Sequence, residues 1–255
     1  MSFDYVIYLI LIVVLGVLSF ELPKRNIFFG YLLFVIAPLF LTPFWISTVK
    51  DFDLFGWFKL YSVILFSLFL LVMETRQLYS KKWAWVVVSI LVIINIFEAI
   101  LAVGLSHEFK TNYAVTIGGA LLVLSLPRIE INLESKRKVV EYYWRFDGPT
   151  VLGYSLWNLL FCSLFYPQHV FIQCAVLLAP VIVFLYHNKS YVKARVYSLT
   201  FYYICYMTYP PLNQGKGIQI IETGKGTEIA SLLIFAYLLL LFFLKGKDRV
   251  RQIFT

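Results

Sequence analysis

The chain has 255 residues, 61% of them hydrophobic and 14% charged, with a mean hydropathy of +0.81 and a formal net charge of +8. Soluble domains are less apolar and about a quarter charged, and the apolar residues here fall in runs long enough for a bilayer's hydrocarbon core. That excludes a cytosolic enzyme, a nucleic-acid reader and a secreted disulfide scaffold; the positive excess is what the cytoplasmic loops of a membrane protein collect.

Nine spans are predicted, at 5–20, 27–46, 56–76, 83–104, 112–127, 149–166, 168–187, 191–210 and 228–244. The first follows only Asp4, with no basic segment before it and no small-residue cleavage pattern after it, so it reads as a retained span rather than a signal peptide. The fifth is short and carries Gly118-Gly119 in its middle, which leaves a re-entrant segment open beside a full crossing. Backbone polar groups in lipid find no water, so each span must be a helix. The fold class is therefore all-α, a polytopic transmembrane helical bundle forming a single integral membrane domain over 1–255. Trp45, Trp57, Trp83 and Trp85 stand near span ends, where an aromatic belt is expected.

The distribution of Lys and Arg sets the orientation. With nine crossings, 17 of the 22 basic residues fall on one side and 4 on the other, Lys59 lying within a span. Removing the fifth crossing weakens the split to 14 against 7. The sharper asymmetry favours an outside N-terminus and a cytoplasmic C-terminus. The cytoplasmic loop 128–148 places Ile129, Ile131, Leu133, Val139 and Val140 beside Lys136-Arg137-Lys138, which suggests an amphipathic surface helix held by anionic lipid. The outer loop 211–227 carries Gly215-Lys-Gly217 and Gly224-Lys-Gly226, without the spacing of a phosphate-binding loop.

Ionisable side chains within spans are functional candidates by default. Glu98 lies about six residues, or about 9 Å, from the outer end of the fourth span, and Asn95 shares its face. Lys59 lies at a matching depth in the antiparallel third span, so a Lys59–Glu98 ion pair or shared polar cavity is expected. In the sixth span Tyr154, Asn158 and Cys162 form one stripe at i, i+4, i+8, with Trp157 beside it. Asn158 is near the depth of Glu98, and His169 stands at the outer start of the seventh span. The candidate pocket opens outward and is walled by Lys59, Asn95, Glu98, Tyr154, Trp157, Asn158 and His169. Glu74 and Arg195 mark the inner half of a route. The asparagines also fit plain interhelical hydrogen bonding, and Lys193 and Arg195 fit snorkelling at the inner surface.

Cys162, Cys174 and Cys205 sit inside apolar runs, with no disulfide framework and no metal-ligand spacing. No cofactor is assigned. The stretch Tyr154-Ser-Leu-Trp-Asn158, followed by Tyr166-Pro-Gln-His169, Cys174 and Ala194-Arg195, together with Lys59-Leu-Tyr-Ser62 and Asn95-x-x-Glu98-Ala, resembles an uncharacterised bacterial family of multi-pass membrane proteins, a domain of unknown function. The resemblance implies a bacterial cytoplasmic membrane and a shared polar constellation, and it implies no activity.

The leading functional expectation is a transporter or channel for a small ion or polar solute, with Glu98 exchanging the ion and Lys59 poising it. An intramembrane enzyme using Glu98 and His169 on a lipid or apolar substrate is the first alternative, though no known catalytic spacing is present. A membrane sensor or assembly partner is the second. Membrane lipids, a small solute and a second copy of the chain are the expected partners; nucleic acid is not.

Overall fold

The computed structural model describes residues 3–49, 54–104, 109–134, 139–166, 169–187, 190–209 and 225–246. Among them are nine helices and one hairpin. The helices are α1 (Phe3–Arg25), α2 (Ile27–Thr48), α3 (Leu54–Thr75), α4 (Lys82–Gly104), α5 (Phe109–Ser125), α6 (Gly148–Phe165), α7 (Val170–Tyr186), α8 (Tyr191–Thr208) and α9 (Lys225–Leu241). Each overlaps one expected span. Segments of α1, α2, α3, α4 and α9 are long and apolar enough to cross a membrane, with mean hydropathies between 1.9 and 2.8. Their outward faces carry large exposed apolar side chains, among them Ile10, Leu39, Phe40, Leu65, Leu101 and Leu233.

Local chemistry explains several helix ends. Asn26 separates α1 from α2 and caps the latter, its side-chain oxygen accepting from the Phe28 N–H at 3.0 Å. Within α2 the turn Leu32–Ile36 widens to π geometry just before Pro38. A proline lacks the N–H that the helical ladder needs there, and widened turns accommodate such losses. Gln77, in the left-handed region at φ 52°, turns the chain out of α3. A short 3₁₀ turn, Leu78–Ser80, then leads into α4.

The segment 128–148 is not a surface helix. It forms an antiparallel hairpin, β1 (Ile129–Glu134) with β2 (Val139–Trp144), in the register Ile129↔Trp144 to Glu134↔Val139. The reason is legible in the sequence: Ile-Glu-Ile-Asn-Leu-Glu alternates with period two, the strand period, and Val-Val-Glu-Tyr-Tyr-Trp is β-branched and aromatic. Lys136-Arg137-Lys138 lies outside the described residues, as does the loop 211–227 up to residue 224. The hairpin packs on the Leu78–Ser80 turn and the start of α4. Trp144 is buried, donating from Nε1 to the Pro127 carbonyl at 2.5 Å, and its ring meets Phe146 edge-on at 4.9 Å.

The doubtful fifth segment is one uninterrupted helix. Gly118 and Gly119 do not break it; they let neighbours approach. A Cβ on Gly118 would stand 2.8 Å from Leu238 Cδ1, and one on Gly119 would stand 2.9 Å from Ile100 Cδ1 and 3.1 Å from Trp157 Nε1. Helices α4, α6 and α9 thus close around α5, the small-residue packing that helices use in lipid. Gly16 serves α1 in the same way: a Cβ there would stand 2.7 Å from Ala179 Cβ on α7.

The least apolar helix is the innermost. Every residue of α8 from Ala194 to Thr200 is buried, a stretch long enough to be covered on all sides. It packs against α1, α3 and α7 and reaches α2. Ser67 and Thr200 hydrogen-bond at 2.7 Å, and the Thr200 hydroxyl has the Val196 carbonyl of its own helix and the Val63 carbonyl of α3 within reach of its one hydrogen, at 2.9 and 3.1 Å.

Asp147 fastens the start of α6. Its Oδ1 accepts from the Thr150 N–H at 3.1 Å and from the Thr150 hydroxyl at 2.5 Å, while Lys245 donates to Oδ2. Partial burial pushes this carboxyl up, but the bonds from Lys245 and Thr150 outweigh it and hold it below the usual carboxylate range. A lowered carboxylate stabilises the fold above its unfolded pKa, and that contribution disappears as pH falls through the folded value. Asp147→Ala should lower stability at pH 7 by about 1 kcal/mol, the worth of a good cap. In thermal melts of detergent-purified protein, the gap between wild type and variant should persist down to the carboxylate range and close below it. Separately, Gly119→Leu should cost about 1–3 kcal/mol by overpacking, read as a lower melting temperature.

Candidate functional site

Six of the predicted residues gather at the centre of the bundle. Antiparallel α3 and α4 bring Lys59 against Glu98, with Nζ donating to Oε2 at 2.5 Å. Lys59 also donates to Asn95 Oδ1. Asn95 in turn donates from Nδ2 to the Tyr154 hydroxyl oxygen at 2.9 Å, which carries the chain of bonds onto α6. On the same helix, Asn158 Oδ1 accepts from Arg195 Nη2 at 3.2 Å, which ties in α8. Glu98, Asn158 and Arg195 are 7%, 8% and 5% exposed. Two hydrogen-bonded groups thus meet on α6 one turn apart, Lys59, Glu98, Asn95 and Tyr154 in one and Asn158 with Arg195 in the other.

Both amide orientations follow from their partners. Lysine and arginine have no acceptor to offer, so the group facing each must be the asparagine oxygen. The Asn95 NH₂ is thereby turned toward Tyr154. Three charged-group atoms remain buried with no described partner: Glu98 Oε1, Arg195 Nε and Arg195 Nη1. A small cavity of about 20 Å³ lies nearby, its wall almost wholly apolar, lined by residues that include Asn95, Tyr154, Tyr191, Arg195, Phe66 and Phe146. That is room for about one water molecule or a particle of similar size.

Arg195 does not snorkel. It reaches inward from the start of α8 to Asn158 and the cavity, because Ala194–Thr200 is enclosed by neighbouring helices and offers it no surface. Lys193 points elsewhere and donates to Glu74 Oε2 at 2.5 Å, with its ammonium over the rings of Phe20 and Tyr197 at 5.6 and 5.4 Å. Glu74 is joined to the central cluster by no hydrogen bond among the described residues. Tyr197, fully buried and packed on Phe34 at 4.5 Å, is part of the core between α2 and α8.

Trp157 and His169 are not brought into the cluster's bonding. Trp157 donates from Nε1 to the Val115 carbonyl at 2.9 Å and lies against Gly119, locking α6 to α5. His169 stands at the start of α7 with its ring edge-on to Tyr206 at 5.8 Å, and its buried Nδ1 has no hydrogen-bond partner among the described residues. Sequence reasoning missed Tyr191 and Phe146. Tyr191 could have been found, since it is i, i+4 to Arg195 on α8. Phe146 could not, because it enters from the loop after the hairpin. Among the described residues no group of His, Cys, Asp or Glu is placed to hold a metal ion.

The molecule is thus a bundle of apolar helices with a charged, hydrogen-bonded cluster at its centre. The model of a family of unknown function (DUF5692) matches residues 1–124, just under half of the chain. That stretch covers α1 to α5 and includes Lys59, Asn95 and Glu98; Tyr154, Asn158 and Arg195 lie beyond it. No curated protein and no solved structure matches the chain.

A buried ion pair stabilises little against apolar replacement, but losing one partner is costly, at about 3–5 kcal/mol. Lys59→Met or Glu98→Leu alone should therefore destabilise strongly. The double variant should be more stable than either single one, a coupling that a double-mutant cycle on melting temperatures will read.

Proposed function

We propose that this is a multi-pass protein of a bacterial cytoplasmic membrane that moves a small ion or polar solute through its bundle. The observation that carries this is the buried cluster of Lys59, Glu98 and Arg195, joined by Asn95, Tyr154 and Asn158 beside a cavity of about 20 Å³. Charges held among apolar helices are expensive and are kept where they handle a solute. In this reading the chain crosses nine times, with its N-terminus outside and its C-terminus in the cytoplasm, as the asymmetry of Lys and Arg favours.

Lys59 and Glu98 then lie near the outer ends of α3 and α4, and Glu74 and Lys193 form a second pair at the inner ends of α3 and α8. A solute entering from outside meets Glu98 first and exchanges with Lys59 for that carboxylate. Asn95, Tyr154 and Asn158 supply neutral ligands, and Arg195 closes the far side. Passage beyond requires the packed layer of Tyr197 and Phe34 to part, so the mode of action is alternating access rather than an open pore. Lipids cover the apolar outer faces, and a second copy of the chain could share them. The enzyme alternative gains nothing from His169, which contacts Tyr206.

Liposome flux at matched protein density tests the reading, with protons, sodium, potassium and chloride as the panel. Wild type should move at least one of them, and Glu98→Gln should slow that flux by about tenfold or more, a barrier change of roughly 1.4 kcal/mol. Absence of flux across the whole panel, with the protein shown to be folded and inserted, would remove the transport reading.

A further inference from the structure

The central ion pair is also a binding site whose occupant is built in. Lys59 Nζ lies against two oxygens of α4, donating to Glu98 Oε2 at 2.5 Å and to the Asn95 amide oxygen. Asn95 and Glu98 are three residues apart, so α4 presents both on one face. Tyr154 on α6 accepts from the Asn95 nitrogen at 2.9 Å and thereby holds the amide with its oxygen toward the ammonium. Glu98 Oε1 is buried and takes no hydrogen bond among the described residues. A carboxylate and an amide oxygen converging on one point accept and do not donate, so that point suits a cation.

Charge and tether define what can replace the lysine. One carboxylate balances one positive charge, and a divalent ion would leave a surplus buried among apolar helices. The three or four His, Cys, Asp or Glu ligands that zinc gathers are absent among the described residues. Two of the three ammonium hydrogens are spent on Oε2 and Asn95, and Oε1 goes unanswered. The ammonium rides on a stem fixed to α3; an ion without a stem can settle closer to Oε1 and gain the contact that Lys59 leaves unmade. The lysine side chain is the more open of the pair, 15% exposed against 8% for Glu98, so the approach to the carboxylate lies along that stem.

We propose that Glu98 and Asn95 form a site for one small monovalent cation, with the Lys59 ammonium as its resident occupant and an external ion taking its place one for one. The inference deepens the transport reading and rests on it for what crosses the membrane, while the site itself stands as a binding site without flux. Exchange keeps the buried charge constant. The carboxylate is never left bare, and the freed ammonium withdraws along its stem toward the more exposed side.

The first test vacates the site. Lys59→Ala in the full chain, purified in detergent with choline as the balancing cation, should take up methylammonium saturably and melt at a rising temperature as it fills. Tetramethylammonium, which has no N–H to donate, and calcium should leave the melt unmoved. Adding Asn95→Leu should weaken methylammonium binding by roughly tenfold, the worth of one hydrogen bond to a charge, and adding Glu98→Gln should abolish it. A folded Lys59→Ala protein that ignores methylammonium, or answers tetramethylammonium equally, would overturn the site. Because this variant leaves Glu98 unpaired and can fail to fold, the second test uses wild type. An ion that displaces Lys59 frees its amine, so acetylation of Lys59 by an activated ester, read by peptide mass spectrometry, should speed up when sodium or potassium replaces choline at constant ionic strength. Equal rates in all three salts would overturn the exchange. Methylammonium binding without flux in liposomes would keep the site and remove transport; flux that Glu98→Gln slows, with no methylammonium binding and no change in acetylation, would do the reverse.

Discussion

Lys59 and Glu98 hold the structure's central constraint. Neither charge can be left alone between apolar helices, because an isolated buried ion costs far more than one contact can return. The pair fixes the depth at which α3 and α4 face each other. The bonds that continue from it fix the rest: Lys59 reaches Asn95, Asn95 reaches Tyr154 on α6, and Arg195 on α8 holds Asn158 on the same α6. Four helices, α3, α4, α6 and α8, are registered against one another by these bonds. Apolar packing alone would not do this, since one leucine can slide past another at little cost, whereas a displaced Lys59 leaves two oxygens and an ammonium unsatisfied.

The same constraint explains why the chain looks inside out. The helices long and apolar enough to cross a membrane, α1, α2, α3, α4 and α9, carry exposed leucines, isoleucines and phenylalanines. Helix α8, with its tyrosines, Lys193, Arg195 and Thr200, is wrapped by its neighbours. Hydropathy ranks a helix by what it would meet in lipid, and α8 meets other helices instead. A threshold on length and apolarity therefore finds five helices and passes over α8, although its burial is the most complete. Small residues make the wrapping possible. At Gly16, Gly118 and Gly119 neighbouring helices approach so closely that a Cβ would stand within 3 Å of a side chain on α7, α9 or α4.

Much of the architecture was legible because its signals are periodic or additive. Helix positions follow from runs of apolar residues ended by charge, proline or glycine, and the described helices fall on those runs. The Lys59–Glu98 contact was legible because two antiparallel helices place residues at equal depth when their distances from a shared end are equal. Three things were not legible. The hairpin was hidden by reading Ile129, Ile131 and Leu133 as one face of a helix, when their spacing of two is the strand period. Arg195 was read from its nearness to a helix end, which says how far a long side chain can travel but not which way. Trp157 sits in the polar stripe's neighbourhood by sequence, yet a helix turns 100° per residue, so it faces α5 and Val115 instead of the cluster.

The hairpin, the least expected element, also shapes the centre. Trp144 closes β2 with its indole on the Pro127 carbonyl, and its ring sets Phe146 edge-on at 4.9 Å. Phe146 in turn packs on Tyr154 and Tyr191 at 6.4 and 5.6 Å. The aromatic wall of the cavity is therefore anchored on the hairpin, through Trp144 and Phe146. A helix in the same place would have needed its own apolar stripe buried and would have presented no residue at Phe146's angle. Rings rather than a polar loop close that end of the cavity, which is why its wall there is carbon while the charges of Lys59, Glu98 and Arg195 are met by hydrogen bonds between helices.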